Sequence, residues 1–204
     1  MAGVKGRFFV LDGPDGGGKT TQVAALRDYL TERGEPVKTL REPGATSAGE
    51  AIRDLLLDPN TDLIPVAEML LYQAARAQMV DALLRPTLES GVTVLLDRYW
   101  YSTAAYQGHG LGLDIDSVRE VSRTATRGLE PDHLFLLDVD PEVGLSRIRG
   151  ERDRIEGRPL EYHRRVREGF LAEAALLGDR ATVLDASRPA AEVSAVIREV
   201  VDRL

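Results

Sequence analysis

Eight residues decide the fold of this chain: Gly13-Pro14-Asp15-Gly16-Gly17-Gly18-Lys19-Thr20. They match the pattern G-x-x-x-x-G-K-[ST], in which glycines let backbone N–H groups turn inward around phosphate oxygens. The apolar run at 8–11 precedes them, and apolar residues at helical spacing follow. The sequence therefore predicts a strand, a phosphate loop and a helix whose positive N-terminal end adds to the site.

The phosphate loop assigns roles to its own residues. Lys19 is expected to reach the β- and γ-phosphates of a nucleoside triphosphate, and the Thr20 hydroxyl to hold Mg²⁺. A glycine-rich turn that matches by accident is the alternative, but the flanking strand and helix are the required context. The residues predicted to contact ATP are Gly13, Pro14, Asp15, Gly16, Gly17, Gly18, Lys19, Thr20 and Thr21.

Apolar runs elsewhere in the chain complete a fold class. Runs at 92–96 and 134–137 read as buried strands, and those at 36–40 and 181–184 are shorter candidates. Helical spacing of apolar residues lies between them, as at Val23, Leu26 and Leu30, with Gly34 placed to end that helix. Alternating strands and helices predict an α/β P-loop fold of three layers, in which a five-stranded parallel sheet has helices on both faces.

Ligands of such folds bind beyond the carboxyl ends of the strands, so Asp97 and Arg98 are candidates, since they follow the run at 92–96. An acidic residue there is the usual second contact to Mg²⁺, here through water. A guanidinium beside it can clamp a phosphate group. The alternative is a surface ion pair. A GTPase is disfavoured because no D-x-x-G switch follows this strand and N-K-x-D does not occur.

Composition limits the partners and the location. The net charge of −7 argues against a broad nucleic-acid surface. No apolar run approaches the roughly 20 residues that span a membrane. The chain has no cysteine, and its first six residues lack the apolar stretch of a signal peptide. We expect one cytoplasmic domain over residues 1–204, with no nucleic-acid or membrane partner.

Beyond these motifs, the chain resembles thymidylate kinases from end to end. The matching segments are Arg41-Glu42-Pro43-Gly44, Arg53-Asp54-Leu55-Leu56-Leu57, Ala74-Ala75-Arg76, the run at 97–108 and Asp153-Arg154-Ile155-Glu156. The resemblance implies transfer of a phosphoryl group from ATP to dTMP, giving dTDP and ADP for dTTP synthesis. It also implies Mg²⁺ as cofactor and a homodimer formed through apolar helix faces. One departure is Ala45, where the family usually has a second glycine.

The resemblance also implies an acceptor site. Tyr72 stands where the family usually has phenylalanine stacked on thymine, and Arg76, one helical turn later, bonds a thymine carbonyl. The alternative is a core tyrosine and a solvated arginine. We expect the stripe of Val66, Met69, Leu70, Ala77, Val80 and Leu84 to supply the core instead. The resemblance further assigns Thr103 and Gln107 to the base, Tyr106 to the sugar, Arg41 and Arg98 to the acceptor phosphate, and Asp12 to both sugar and phosphate.

The segment at about 147–160 is similar to the lid of the bacterial form, which supplies positive charge that the phosphate loop lacks. Between Arg147 and Arg167 there are eight arginines against four acidic residues. The resemblance implies that Arg149 and Arg154 act with Lys19, Arg98 and Asp12 in catalysis. A solvated helix face with salt bridges, such as Arg147 to Glu151, is the alternative.

Three other functions stay open at this point. A deoxynucleoside kinase would phosphorylate a free 5′-hydroxyl and need a carboxylate base, and another nucleoside monophosphate kinase would differ in its base pocket. A regulator that binds nucleotide without catalysis would keep the phosphate loop. The pairing of Arg41 with Arg98 favours an acceptor that already carries phosphate.

Overall fold

The computed structural model describes residues 6–204 and is built on one parallel sheet. Its strands stand in the order β2-β3-β1-β4-β5, and every neighbouring pair is parallel. The five predicted strands and the three-layer fold class are confirmed. The strands are β1 (Phe8–Asp12), β2 (Val37–Arg41), β3 (Thr93–Asp97), β4 (His133–Asp138) and β5 (Ala181–Asp185).

Alternating side chains of the sheet build a core on each face. Phe8 and Val10 of β1 point to one face, and Phe9 and Leu11 to the other. All four are buried, as expected for a strand with a neighbour on each side and a layer of helices above and below.

Nine α-helices flank the sheet in the described part of the chain. They are α1 (Lys19–Glu32), α2 (Ser47–Leu57), α3 (Pro65–Met79), α4 (Arg85–Glu89), α5 (Trp100–Thr103), α6 (Ile115–Thr126), α7 (Pro141–Arg147), α8 (Leu160–Leu177) and α9 (Ala190–Val201). A π-helical segment, Val80–Leu84, joins α3 to α4, and another, Ala104–Gly110, continues α5. None of these helices is both long and apolar enough to cross a bilayer.

The predicted helix pattern holds at the N-terminal end of the chain. Val23, Leu26 and Leu30 of α1 are buried, and α9 packs beside them on the same face of the sheet. Gly34 follows α1 with φ of 78° and donates its N–H to the carbonyl of Thr31 at 2.9 Å. It ends the helix as predicted, because glycine adopts this left-handed conformation without a steric penalty.

The prediction for α3 is wrong in part. Met69, Val80 and Leu84 of the apolar stripe are buried, but Val66 is 47% exposed and Leu70 is 49% exposed. Arg76, expected outside the core, is 2% exposed. The spacing identified residues that share a helix face, but not what packs on that face.

Two loops contain a backbone conformation or a contact that the sequence did not predict. Ala45, in place of the usual glycine, adopts φ of 65°, and its N–H donates to Oε1 of Glu50 at 2.9 Å. A non-glycine residue pays roughly 1–2 kcal/mol for this conformation. The predicted lid is not helical between α7 and α8, and Arg147 bonds the carbonyls of Gly16 and Ala186 rather than Glu151.

Candidate active site

The phosphate loop lies between β1 and α1 and is shaped by close neighbours. Gly16 has φ of 74° and Gly18 has φ of 84°. A Cβ at Gly16 would collide with the carbonyl of Gly144 in α7, and one at Gly13 with the carbonyl of Leu137 in β4. Because neither position has room for a side chain, β4 and α7 hold the loop in its open turn.

Lys19 begins α1, and its side chain folds back across the loop. Nζ donates to the carbonyl oxygens of Gly13 at 3.0 Å and Pro14 at 2.8 Å. Burial, and then the nearby charge of Arg98, lower the pKa of Lys19 to about 8. The ammonium group of Lys19 is thus held by carbonyl groups of the phosphate loop, in which the sequence predicts that it binds phosphates.

Thr20 and Asp97 meet across the sheet edge. The Thr20 hydroxyl donates to Oδ2 of Asp97 at 3.1 Å. Their meeting follows from register, since Asp97 pairs with Leu11 on one side and Arg41 on the other. A hydroxyl and a carboxylate oxygen at a cavity wall are the hard oxygen donors that Mg²⁺ prefers. The two residues therefore fit the cation, with room for water or phosphate oxygens beside them.

Arg98 is held in an unusual backbone conformation. Its φ is 70°, and its N–H donates to the carbonyl of Leu11 at 3.0 Å. Nη1 donates to the Gly13 carbonyl and to Oγ of Ser102, each at 3.1 Å, while Nη2 donates to the Asp15 carboxylate. This conformation, which aims the guanidinium at the phosphate loop, is strained for arginine, and such strain is concentrated at functional sites.

Asp12 lies behind the cavity wall rather than in it. Its carboxylate accepts from the backbone N–H of Gly13 at 2.9 Å and of Tyr99 at 3.1 Å, and from the Ser102 hydroxyl at 2.7 Å. Burial raises the pKa of Asp12, although the charge of Arg98 and these hydrogen bonds oppose it. Its contacts support the backbone around Arg98, and the predicted contact with an acceptor stays a prediction.

A cavity of about 390 Å³ brings most predicted residues together. One end is formed by the phosphate loop and helix start, including Asp15, Gly16, Gly18, Lys19, Thr20 and Thr21. A second wall contains Arg41, Tyr72, Arg98, Thr103, Tyr106 and Gln107, and two of these, Arg98 and Tyr106, bond the phosphate loop. Seven other predicted residues are not among the lining of the cavity: Asp12, Gly13, Pro14, Gly17, Arg76, Arg149 and Arg154.

Tyr106 joins the second wall of the cavity to the phosphate loop. Its hydroxyl donates to Oδ2 of Asp15 at 2.7 Å. The Arg98 guanidinium lies 5.2 Å from the centre of the Tyr106 ring, and Phe170 packs edge-on at 5.7 Å. The tyrosine is therefore fixed on one side by the core and on the other by the phosphate loop.

Arg76 is held by the protein and not exposed to the cavity. Its Nε donates to Glu42 at 2.7 Å, and Nη1 donates to Gln73 at 2.7 Å and to Thr103 at 3.0 Å. A base contact by Arg76 stays a prediction, since these bonds occupy most of its donors. Because Arg76 contacts Thr103, which lines the cavity, Arg76 lies one layer behind the cavity wall.

Sequence reasoning passed over three groups that line the cavity. Arg53 donates to the carbonyl of Pro43 at 3.0 Å, beside Arg41. Arg53 stands in one of the matching segments, which could have drawn attention to it. The lid contributes Asp153, Ile155 and Glu156, which also lie in a matching segment. Glu42 and Ser102 also stand in matching segments, at 41–44 and 97–108.

The two lid arginines predicted to act in catalysis make no bond to the phosphate loop, whereas Arg147 donates to the carbonyl of Gly16 in that loop. Arg149 is exposed. Arg154 donates from Nη1 to Oε2 of Glu68 at 2.6 Å. The two contacts predicted for these arginines with the transferring phosphate stay predictions.

Comparison with known proteins accounts for this arrangement. The family model described as thymidylate kinase matches residues 11–197. The thymidylate kinase of Deinococcus radiodurans is 48% identical over 195 residues, which are 95% of each chain. That of Carboxydothermus hydrogenoformans is 50% identical over 170 residues, 82% of this chain and 84% of the relative. A Thermoanaerobacter thymidylate kinase is 41% identical over 201 residues, 98% and 97% of the two chains. The residues matched by the family model include the phosphate loop, the cavity lining and the segment at 147–160.

Proposed function

This chain belongs to the thymidylate kinase family, and on that premise we propose that it transfers the terminal phosphoryl group of ATP to dTMP. The products are dTDP and ADP. The observation that carries the proposal is the cavity, which is lined both by the phosphate loop and by arginines, tyrosines and a glutamine. Such a space suits a triphosphate facing a nucleotide that already bears a phosphate.

The donor end is assigned to the phosphate loop. Lys19 and the backbone N–H groups at the start of α1 hold the β- and γ-phosphates. Thr20 and Asp97 would hold Mg²⁺, in part through water. When bound, the cation neutralises charge that develops on the phosphoryl oxygens. Lys19 and the two metal-holding residues thereby fix the donor phosphorus in place.

The acceptor nucleotide is assigned to the second wall of the cavity. Arg41 and Arg98 hold the acceptor phosphate, and we add Arg53 because it lines the same part of the cavity. Tyr72 stacks on the base, whose edge is read by Thr103 and Gln107. Tyr106 lies against the sugar, leaving little space for a 2′-hydroxyl.

The reaction needs alignment more than proton transfer. An oxygen of the dTMP phosphate forms a bond to the γ-phosphorus while the bond to the bridging oxygen breaks, and its electron pair leaves on ADP. A phosphate monoester is already anionic at pH 7, so no strong general base is required. The contribution of the protein is positioning and stabilisation of charge in a closed site.

The alternative enzymes are disfavoured by the same wall. A deoxynucleoside kinase needs an unpaired carboxylate near a 5′-hydroxyl. Of the two carboxylates beside Arg98, Asp12 is buried and accepts three hydrogen bonds, and Asp15 is paired with Arg98 and Tyr106. Three arginines at the acceptor end instead favour an acceptor that carries phosphate.

The remaining assignments concern assembly and surroundings. We take residues 1–204 as one domain whose lid, at about 147–160, closes over the donor. A homodimer is supported by exposed apolar side chains on and beside α3, including Ile64, Val66 and Leu70. A cytoplasmic location is supported by a cysteine-free sequence.

The testing experiment is ADP release with Mg-ATP against dTMP, dUMP, dCMP, dAMP and thymidine. Turnover of roughly 1–100 s⁻¹ on dTMP, well above the other acceptors, is expected. Activity on thymidine alone would overturn the assignment of the arginines to an acceptor phosphate. Binding of ATP without turnover on any of the five would favour a regulator.

A further inference from the structure

Glu68 is a buried carboxylate at which the cavity wall and the lid meet. It lies in α3, one helical turn before Tyr72, and its side chain is 0% exposed. Its Oε1 accepts from Nε2 of Gln107 at 2.8 Å. Its Oε2 accepts from Nη1 of Arg154 and Nη2 of Arg158, both at 2.6 Å. Gln107 lines the cavity, whereas both arginines come from the lid.

Arg154 fixes the lid to a second helix as well. Its Nε donates to the carbonyl of Leu56 at 2.9 Å, and its backbone N–H donates to the carbonyl of Leu57 at 3.3 Å. Ile155 and Glu156, the next two residues, line the cavity. The anchor of Arg154 on α2 and α3 therefore sets the position of the lid turn that closes one side of the cavity.

Arg158 extends the connection to the wall that contains Tyr106. Its Nη1 donates to the Tyr162 hydroxyl at 2.7 Å, and its guanidinium lies 4.7 Å from the centre of that ring. The Tyr162 hydroxyl in turn donates to the carbonyl of Tyr106 at 3.3 Å. Glu68 thus reaches both pocket residues of the π-helical segment, Gln107 directly and Tyr106 through two side chains.

The charges of Glu68 and its two arginine partners favour a contact that is either fully formed or absent. Burial alone raises the pKa of Glu68, but hydrogen bonds from Arg158 and Gln107 outweigh it, and the net pKa is lowered. Glu68 is therefore an anion facing two guanidinium groups. Removing the lid would leave that anion buried without its cationic partners, which is costly. Contacts of this kind favour two discrete positions over gradual displacement.

We infer that Glu68 is a positioning residue that couples occupation of the acceptor-base pocket to placement of the lid, with Arg154 and Arg158 as its anchors. The inference rests on the proposed function, since it assigns the cavity wall at Tyr72 and Gln107 to the acceptor base. It gives Arg154 a different role from direct contact with the transferring phosphate. A base held by Gln107 stabilises the arrangement in which Glu68 holds the lid turn at the cavity.

The first test is steady-state kinetics of Glu68→Gln. A neutral amide accepts fewer and weaker hydrogen bonds from two arginines. We expect the KM for dTMP to rise about tenfold, equivalent to about 1.4 kcal/mol, while kcat at saturating dTMP changes by less than about threefold. An unchanged KM would overturn the inference.

A matched control is available in Glu173→Gln. Glu173 is also buried and accepts from Nη2 of Arg119 at 2.7 Å, in a pair that joins α8 to α6 away from the cavity. The same substitution there is expected to lower the Tm and leave the KM for dTMP unchanged. If both variants raise the KM equally, the effect of Glu68→Gln reflects general loss of stability and the inference fails.

A double-mutant cycle separates the anchor from a phosphate contact. If Arg154 acts through Glu68, Arg154→Gln raises the KM for dTMP, and the double variant is no worse than either single variant. If Arg154 instead contacts the transferring phosphate, Arg154→Gln lowers kcat and its effect adds to that of Glu68→Gln. The second result would overturn the inference.

Hydrogen exchange tests the anchor without any activity. In nucleotide-free protein, amides of the peptide at 148–159, including that of Arg154, are expected to exchange faster in Glu68→Gln than in the wild type or Glu173→Gln. Equal rates would overturn the inference. If the wild type failed to phosphorylate dTMP, the proposed function would fall, while this exchange measurement would still report whether Glu68 holds the lid.

Discussion

Nε of Arg76 donates to Oε2 of Glu42 at 2.7 Å, and both side chains lie almost completely out of solvent. Burial raises the pKa of Glu42 to about 7, although the charge of Arg76 opposes the rise. The pair joins α3 to the loop after β2, where Glu42 lines the cavity and Arg76 lies behind it. An arginine that sequence comparison assigns to substrate binding is thus also part of the core.

Arg76→Ala is expected to destabilise the fold as well as weaken acceptor binding. Removing one partner leaves Glu42 buried without its counter-charge, which costs about 3–5 kcal/mol of unfolding free energy. Urea denaturation checks this. Arg41→Ala is the control, because its pair with Glu50 is exposed and such pairs contribute little to stability. Similar losses in the two variants would contradict the structural role of Arg76.

Lys19→Ala is expected to lower kcat by at least about 100-fold, or about 2.7 kcal/mol. The reason is loss of the positive charge that holds the donor phosphates. The fold should persist, because the side chain bonds only carbonyls of its own loop, Gly13 and Pro14. ADP release and the Tm, measured together, check both statements. Activity within a few-fold of the wild type would remove Lys19 from the mechanism.

The affinity for ATP should fall as the pH rises above 8. The pKa of Lys19 is lowered to about 8 in the free protein. Below that pH the ammonium form predominates and the Kd is constant. Above it, binding must first return a proton, so the apparent Kd rises by up to about tenfold per pH unit. Calorimetry between about pH 7 and 9.5 tests this, with Lys19→Ala expected to lack the slope and a flat wild-type profile counting against it.

Asp97→Asn is expected to raise the Mg²⁺ concentration needed for half-maximal activity by about tenfold or more. The amide keeps the shape but loses the charge of the carboxylate beside Thr20. A Mg²⁺ titration of ADP release measures this. Asp138→Asn is the matched control, because Asp138 also ends a strand but pairs with Arg167 at 2.7 Å. It should change stability alone, and an equal shift in both variants would remove Asp97 from the metal site.

Tyr106→Ala is expected to weaken the preference for deoxyribose. In the proposed function its ring fills the space that a 2′-hydroxyl would need, so truncation should reduce the ratio of kcat/KM for dTMP over the ribose nucleotide by at least about tenfold. Tyr106→Phe keeps the ring and should keep the preference, while losing the bond to Asp15. The two nucleotides are compared under identical conditions. Equal preference in the Ala and Phe variants would show that the ring does not select the sugar.

The sequence was sufficient for the fold because its signals are local. The strand of β1, the glycines after it and the helical spacing from Val23 to Leu30 lie within one short segment. The order of the strands was not predicted, since it depends on pairings between distant segments. Asp97 could still be placed near the phosphate loop, because parallel strands end at one edge of the sheet.

The parts that could not be predicted depend on partners far away in the chain. Arg76 is buried because Glu42 and Thr103 satisfy its donors, and neither is marked by helical periodicity. The excess of arginines drew attention to the segment at about 147–160, but it did not show that Arg154 bonds Glu68. The sequence shows that a charged residue will need a partner if it is buried. Only the fold shows which partner it has.

The central place of β1 has a consequence for synthesis of the protein. Its two neighbours, β3 and β4, are both made later, and the carbonyl of Leu137 in β4 helps to shape the loop at Gly13. Once α1 has left the ribosome, the nascent chain contains the complete glycine-rich motif. The later segment that shapes the loop has not yet been made. A fragment ending before β4 would therefore contain the glycine-rich motif but lack the carbonyls of Leu137 and Gly144, which shape the loop at Gly13 and Gly16.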